Sequence, residues 1–161
     1  MIRYTENGVP HIKANSYTGV GFGDGYAMAT DNVCTIADMY VTLTAQRSRY
    51  FGAAGPGNSA LGSATNNLNS DLYFQQVNDS HVVERLVDQP APLGPQPEVR
   101  DVVHGYVTGY NKYIADNRIT DPACKGAPWV RPISDIDVYR HIYALANIQG
   151  GGTFIDSIAT T

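Results

Sequence analysis

The sequence predicts a mainly α-helical chain that opens with a short β-hairpin. Three observations carry this reading. An Asn-Gly pair sits between two short strand-forming stretches near the start, apolar residues recur at three- and four-residue steps in the later segments, and stretches rich in Gly or Pro separate those segments.

The hairpin is Ile2-Arg3-Tyr4-Thr5, Glu6-Asn7-Gly8, then Val9-Pro10-His11-Ile12. Asn-Gly suits a tight turn whose backbone needs positive φ, and Pro10, which lacks an N–H, belongs on an edge strand. After Ser16, an N-cap residue type, glycine falls at Gly19, Gly21, Gly23 and Gly25. A phosphate-cradling loop of the dinucleotide type needs glycines at its first, third and sixth positions. Counting from Gly19 the sixth residue is Asp24, and from Gly21 it is Tyr26; no Gly-Lys-Ser/Thr follows. The glycines therefore read as positions of close backbone packing.

From Asp31, a candidate N-cap, Val33, Ile36, Ala37, Tyr40, Val41 and Thr44 keep a helical period, which predicts a helix to about Arg49 with a stop at Gly52. The Gly-, Ser- and Asn-rich stretch from Gly55 to Asn69 predicts a long loop. A helical stretch over about Val77–Val87 must end at the prolines between Gln89 and Pro97. Val99, Val102, Val103, Tyr106, Val107, Tyr110 and Tyr113 then mark an amphipathic helix of about Glu98–Asp116. After a loop containing Pro122, Pro128 and Pro132, Ser134 to Asp137 cap a final helix through Asn147. Neither side of the proline segment holds enough apolar residues to fold alone, so residues 1–161 are expected to form a single module.

Composition excludes several function classes. Charged residues make up 16% of the 161, well under the usual quarter, which implies that much of the surface faces protein. A formal net charge of −4 gives no basic field for phosphates, so nucleic acid is not an expected partner. No run reaches the roughly 18 apolar residues of a membrane span, and the first residues, MIRYTENG, lack the basic and apolar regions of a signal peptide. The residues read as a soluble protein.

No local motif nominates a catalytic group. His11, His81, His104 and His141 are scattered and form no His-Glu-x-x-His pair, and no Gly-x-Ser-x-Gly elbow presents a serine. Asp135 and Asp137 lie two apart, on different faces of a helix, and suit its first turn better than an acid/base pair. The 11 tyrosines would suit a stacking surface, yet Tyr106, Tyr110 and Tyr113 keep helical spacing and read as a core stripe. Cys34 and Cys124 form no Cys-x-x-Cys motif, and from the residues alone they are either one bridge or two buried thiols.

The order of several long motifs resembles the α subunit of the penicillin acylase family of N-terminal nucleophile hydrolases, in its branch of acyl-homoserine lactone, aculeacin-type and penicillin V acylases. The resemblance rests on Asn7-Gly-Val-Pro-His-Ile12, Gly21-Phe-Gly-Asp-Gly-Tyr-Ala-Met-Ala-Thr-Asp31, Asn32-Val-Cys34 and Gln46-Arg-Ser-Arg-Tyr-Phe-Gly52. It continues through Ser70-Asp71-Leu72, Gly105-Tyr106, Gly109-Tyr-Asn111 and Asp121-Pro-Ala-Cys-Lys-Gly-Ala-Pro-Trp-Val-Arg-Pro132, and so covers nearly all 161 residues.

The resemblance implies an α subunit that completes an αββα fold with a larger β subunit of the same precursor. It also implies autocatalytic processing, an N-terminal Ser nucleophile on that β subunit acting on an N-acyl small molecule, and no catalytic residue among the present 161. A periplasmic or secreted location follows from it, as does a disulfide between Cys34 and Cys124. No cofactor is expected; the resemblance allows structural calcium, which finds no support in these residues. In the family, the last long helix of the α subunit contributes to the acyl pocket, which places Tyr143, Ala144, Asn147 and Ile148 as substrate-binding candidates here. The competing reading is a free-standing, tyrosine-rich module that binds a glycan or peptide.

Overall fold

A computed structural model describes residues 1–116 and 118–160. The protein folds as two compact units, Met1–Ala37 with Gln89–Asp135, and Asp38–Asp88 with the residues from Ile136 on. Elements in order are β1 (Ile2–Tyr4), β2 (Pro10–Ile12), α1 (Tyr17–Leu43), α2 (Arg47–Phe51), α3 (Asn67–Asp79), α4 (Val82–Val87), α5 (Pro97–Ala115) and α6 (Asp135–Asn147). A 3₁₀ turn (Gly151–Phe154) and α7 (Ile155–Ala159) follow. The fold is mainly α with one two-stranded antiparallel sheet, as the sequence predicts.

In the first unit, β1 pairs with β2 in the register Ile2↔Ile12, Arg3↔His11 and Tyr4↔Pro10. Gly8 takes φ +78°, the left-handed conformation expected of the Asn-Gly turn. The glycine run is helical, contrary to the expectation that helix begins only at Asp31. α1 starts at Tyr17, with the Ser16 hydroxyl accepting from Gly19 N at 3.1 Å, and kinks at Asn32 (φ −142°, ψ 31°).

Packing explains the override of glycine's poor helix propensity. A Cβ on Gly21 would lie 2.1 Å from the Val102 carbonyl oxygen, and one on Gly25 would lie 2.1 Å from that of Tyr106. The relation is reciprocal, since Cβ atoms on Gly105 and Gly109 would lie 2.1 Å from the carbonyl oxygens of Thr18 and Phe22. Two glycines one turn apart on each helix thus let the α1 and α5 backbones touch, and Ala29 continues the α1 stripe, fully buried. Gly23 lies on the opposite side of α1, where its Cβ would meet Ile12 Cγ2 at 2.5 Å. Small residues at every second position therefore form two narrow stripes on opposite faces of one helix.

The loop after α5 is pinned in two ways. The Asn111 side chain donates to Ile133 O and accepts from Ile133 N, each at 2.8 Å, and a disulfide joins Cys34 to Cys124.

In the second unit, α1 ends at Leu43, short of the expected Arg49. Ala45 turns the backbone at φ +54°, and α2 runs to Gly52 (φ +80°). Asp71 caps α2 by accepting from Arg47 N (2.9 Å) and Ser48 N (2.7 Å). The Arg47 side chain is buried, donating to Asn67 Oδ1 (2.7 Å), Asp38 Oδ1 (2.8 Å) and Thr42 Oγ1 (3.0 Å), with its guanidinium over the Phe51 ring. A buried guanidinium is tolerated because its donors are matched by a carboxylate and two neutral acceptors.

The expected loop ends earlier than Asn69, at α3, whose N-cap Asn66 accepts from Asn69 N at 2.9 Å. The expected Val77–Val87 helix is two helices, broken at His81, which adopts φ +50°. The tail is ordered by Asp156, whose carboxylate accepts from Thr65 N (3.0 Å) and Asn69 Nδ2 (2.9 Å) and is also bonded to Thr65 Oγ1. These bonds hold its carboxyl below the usual carboxylate range.

Candidate functional site

α6 carries the residues expected to meet substrate, so the site is built from this helix outward. Asp137, Tyr139 and Ala144 are its buried residues, while Tyr143 and Asn147, and Ile148 just beyond its end, are half-buried. Tyr143 and Ala144 line a small crevice with Leu43 of α1, Tyr73, Phe74, Val77 and Asn78 of α3, and Arg140. The crevice has a volume of about 10 Å³, close to one water molecule, and its lining is almost wholly apolar.

The four candidates are not gathered at one wall. Asn147 and Ile148 stand at the end of α6 and do not line the crevice. Asn147 donates from Nδ2 to Tyr143 O (2.8 Å), its carbonyl accepts from Gly150 N (2.9 Å), and Thr153 Oγ1 donates to Ile148 O (3.1 Å). The C-terminal end of α6 is thereby tied to the glycine turn that follows it.

Sequence reasoning missed the α3 wall. Tyr73 and Phe74 stand edge-to-face, with ring centroids 5.1 Å apart. Burial, followed by the nearby Tyr143 hydroxyl, pushes the Tyr73 hydroxyl upward from its ordinary pKa. The signal available was Asn66 as an N-cap, followed by Leu68, Leu72, Tyr73 and Val77 at helical steps, obscured by the Asn- and Ser-rich segment before it.

Arg140 is the charged member of the lining. Its Nη2 donates to Glu84 Oε1 at 2.7 Å, and Asp137 lies 3.7 Å from its Nη1. Desolvation raises the Glu84 carboxyl, but its backbone and Arg140 hydrogen bonds outweigh that and hold it below its ordinary value. The pair offsets the charge of the guanidinium beside this apolar lining. Beside it, Ile142 and Leu145 are about half exposed on the outer face of α6.

The histidines are dispersed. His11 lies in β2, His81 forms the α3–α4 break, His104 Nδ1 is 3.3 Å from Asp135 Oδ2, and His141 packs edge-to-face on Tyr40 at 6.5 Å. Among the described residues no group of three or more His, Cys, Asp or Glu side chains stands ready for a metal ion. No helix among them is long and apolar enough to cross a membrane.

Comparison with known proteins places this geometry in a family. Residues 1–149 match the family model described as penicillin amidase. The sequence is 39% identical to aculeacin-A acylase of Actinoplanes utahensis, over 98% of this chain and 20% of that protein. It is 40% identical to the acyl-homoserine lactone acylase PvdQ of Pseudomonas putida, over 99% of this chain and 20% of that protein. The present 161 residues thus span about a fifth of the length of these curated relatives. Among solved structures, a thermostable penicillin G acylase from Alcaligenes faecalis shares the fold, with a TM-score of 0.68 over 91% of this chain and 72% of that chain, at 21% identity. Together the matches establish that the chain belongs to the penicillin amidase family.

Proposed function

We propose that this protein is the non-catalytic α subunit of an autoprocessed acylase that releases the acyl group from N-acyl homoserine lactones, lipopeptides or penicillins. The observation that carries the reading is identity of about 40%, along almost the whole of these 161 residues and a fifth of each relative, to acylases with two different named substrates. The nucleophile is then an N-terminal Ser on a larger β subunit. Its own α-amine, with a pKa near 8, takes the hydroxyl proton that otherwise makes serine a poor nucleophile. A periplasmic or secreted location accords with a Cys34–Cys124 bridge, which persists outside the reducing cytosol.

The exposed apolar side chains support a partner subunit. Tyr17, Val20, Phe22 and Met28 on α1, Leu68 and Leu72 on α3, and Ile142 and Leu145 on α6 all stand open, apolar surface that a second subunit could cover. In this reading α6 and the residue that follows it border the acyl pocket through Tyr143, Ala144, Asn147 and Ile148.

The test is Ala144→Phe and Ile148→Trp in the assembled enzyme, with kcat/KM compared for short and long acyl substrates. Filling the pocket should penalise the long acyl group by about tenfold relative to the short one, the scale of one or two methylenes in an apolar pocket. An unchanged ratio in both variants would remove α6 from the pocket.

A further inference from the structure

Tyrosines outside the acyl-pocket assignment converge in the unit formed by Met1–Ala37 and Gln89–Asp135. Tyr4 of β1, Tyr26 of α1 and Tyr113 of α5 line a cleft of about 420 Å³ together with Thr30, Arg118 and Thr120. That volume lies within the range of small-molecule sites. Tyr26 and Tyr113 meet edge-to-face, with centroids 5.7 Å apart and planes at 84°, forming an aromatic corner that a third flat ring can complete.

The hydroxyls of that pair are already engaged. Tyr26 donates to Asp116 Oδ2 at 3.2 Å and Tyr113 donates to Arg118 O at 3.3 Å; Tyr113 is buried, so the ring surface open to a ligand is that of the half-buried Tyr26 and the exposed Tyr4. Asp116, the acid beside the cleft, is bonded to both Lys112 and Tyr26. Arg118 is exposed; Lys112 and, more weakly, Arg118 hold the Asp116 carboxyl below its ordinary value, but the Arg118 fork makes no salt bridge to a described residue and stands at the rim.

We propose that this cleft binds a small aromatic carboxylate, with its ring against Tyr26 and Tyr4, over the buried Tyr113, and its carboxylate on the Arg118 guanidinium. A guanidinium meets a carboxylate through two parallel hydrogen bonds, and the Thr120 hydroxyl adds a donor at the same mouth, whereas the Thr30 hydroxyl already donates to Tyr26 O at 2.8 Å. The inference does not depend on the acyl-pocket reading of α6.

The experiment is calorimetric titration of the assembled enzyme with benzoate, with benzamide, which keeps the ring without the charge, and with cyclohexanecarboxylate, which keeps the charge without the flat ring. Benzoate should bind at least about tenfold more tightly than either. Arg118→Gln, at an exposed position, should weaken benzoate to the level of benzamide, and Tyr4→Ser should weaken it several-fold. Ile148→Trp should leave it unchanged. Failure of benzoate to bind at millimolar concentration, indifference to Arg118→Gln, or loss of binding in Ile148→Trp would each overturn the proposal.

Discussion

Gly25 and Tyr106 stand so close that a methyl group on the first would lie 2.1 Å from the carbonyl oxygen of the second. Gly25→Ala and Gly109→Ala should therefore each destabilise the protein despite gaining about 1 kcal/mol of helix propensity. Overpacking costs about 1–3 kcal/mol, and an approach of 2.1 Å to a backbone atom belongs at the upper end, so the net loss should be about 2 kcal/mol. Denaturant midpoints decide it, and midpoints of Gly25→Ala and Gly109→Ala equal to that of the parent would contradict the helix-contact account.

The same contact shows why the sequence conceals part of the fold. The glycine run reads as non-helical because glycine is locally the poorest helix former after proline. What makes it helical is a backbone on another element, which no local rule sees. By contrast, α5 and α6 are legible because their buried faces repeat at the helical period, and the hairpin because Asn7-Gly8 demands a turn. The breaks at Ala45 and His81 carry no such mark, being non-glycine residues with φ of 54° and 50°. Arg47 is visible only as part of a motif, because its partners Asp38, Thr42 and Asn67 come from separate segments. Half of the candidate site follows from spacing along α6, whereas the Tyr73–Phe74 wall depends on placing α3 correctly.

The disulfide should hold a large loop. Cys34 and Cys124 are 90 residues apart, and the chain-entropy model assigns a loop of that size about 4–5 kcal/mol, an upper figure. Replacing both cysteines by Ala should lower stability by up to about 4 kcal/mol. Alkylation of the unfolded, unreduced protein should add no label. Two labels would show free thiols.

His141 should make stability depend on pH. Burial disfavours its charged form and lowers its pKa from the ordinary value, so near pH 6 the folded state binds fewer protons than the unfolded one. Its contribution is complete above about pH 6.5 and is lost as pH falls through the folded-state value. Thermal midpoints of the assembled enzyme at pH 7.5 and 5.5 should therefore differ less in His141→Phe, which keeps an aromatic ring beside Tyr40, than in the parent. Equal differences would mean that His141 is not the titrating group.

The proposed role of this subunit is to shape an acylase without supplying its nucleophile. The most direct measurement is treatment of the native, active enzyme with a serine-directed sulfonyl fluoride, followed by denaturing mass spectrometry of every polypeptide present. The account predicts loss of deacylation with one adduct on the N-terminal Ser of a second, larger subunit, and an unmodified mass for the 17.4 kDa subunit. Inactivation accompanied by an adduct on the 17.4 kDa subunit would contradict it.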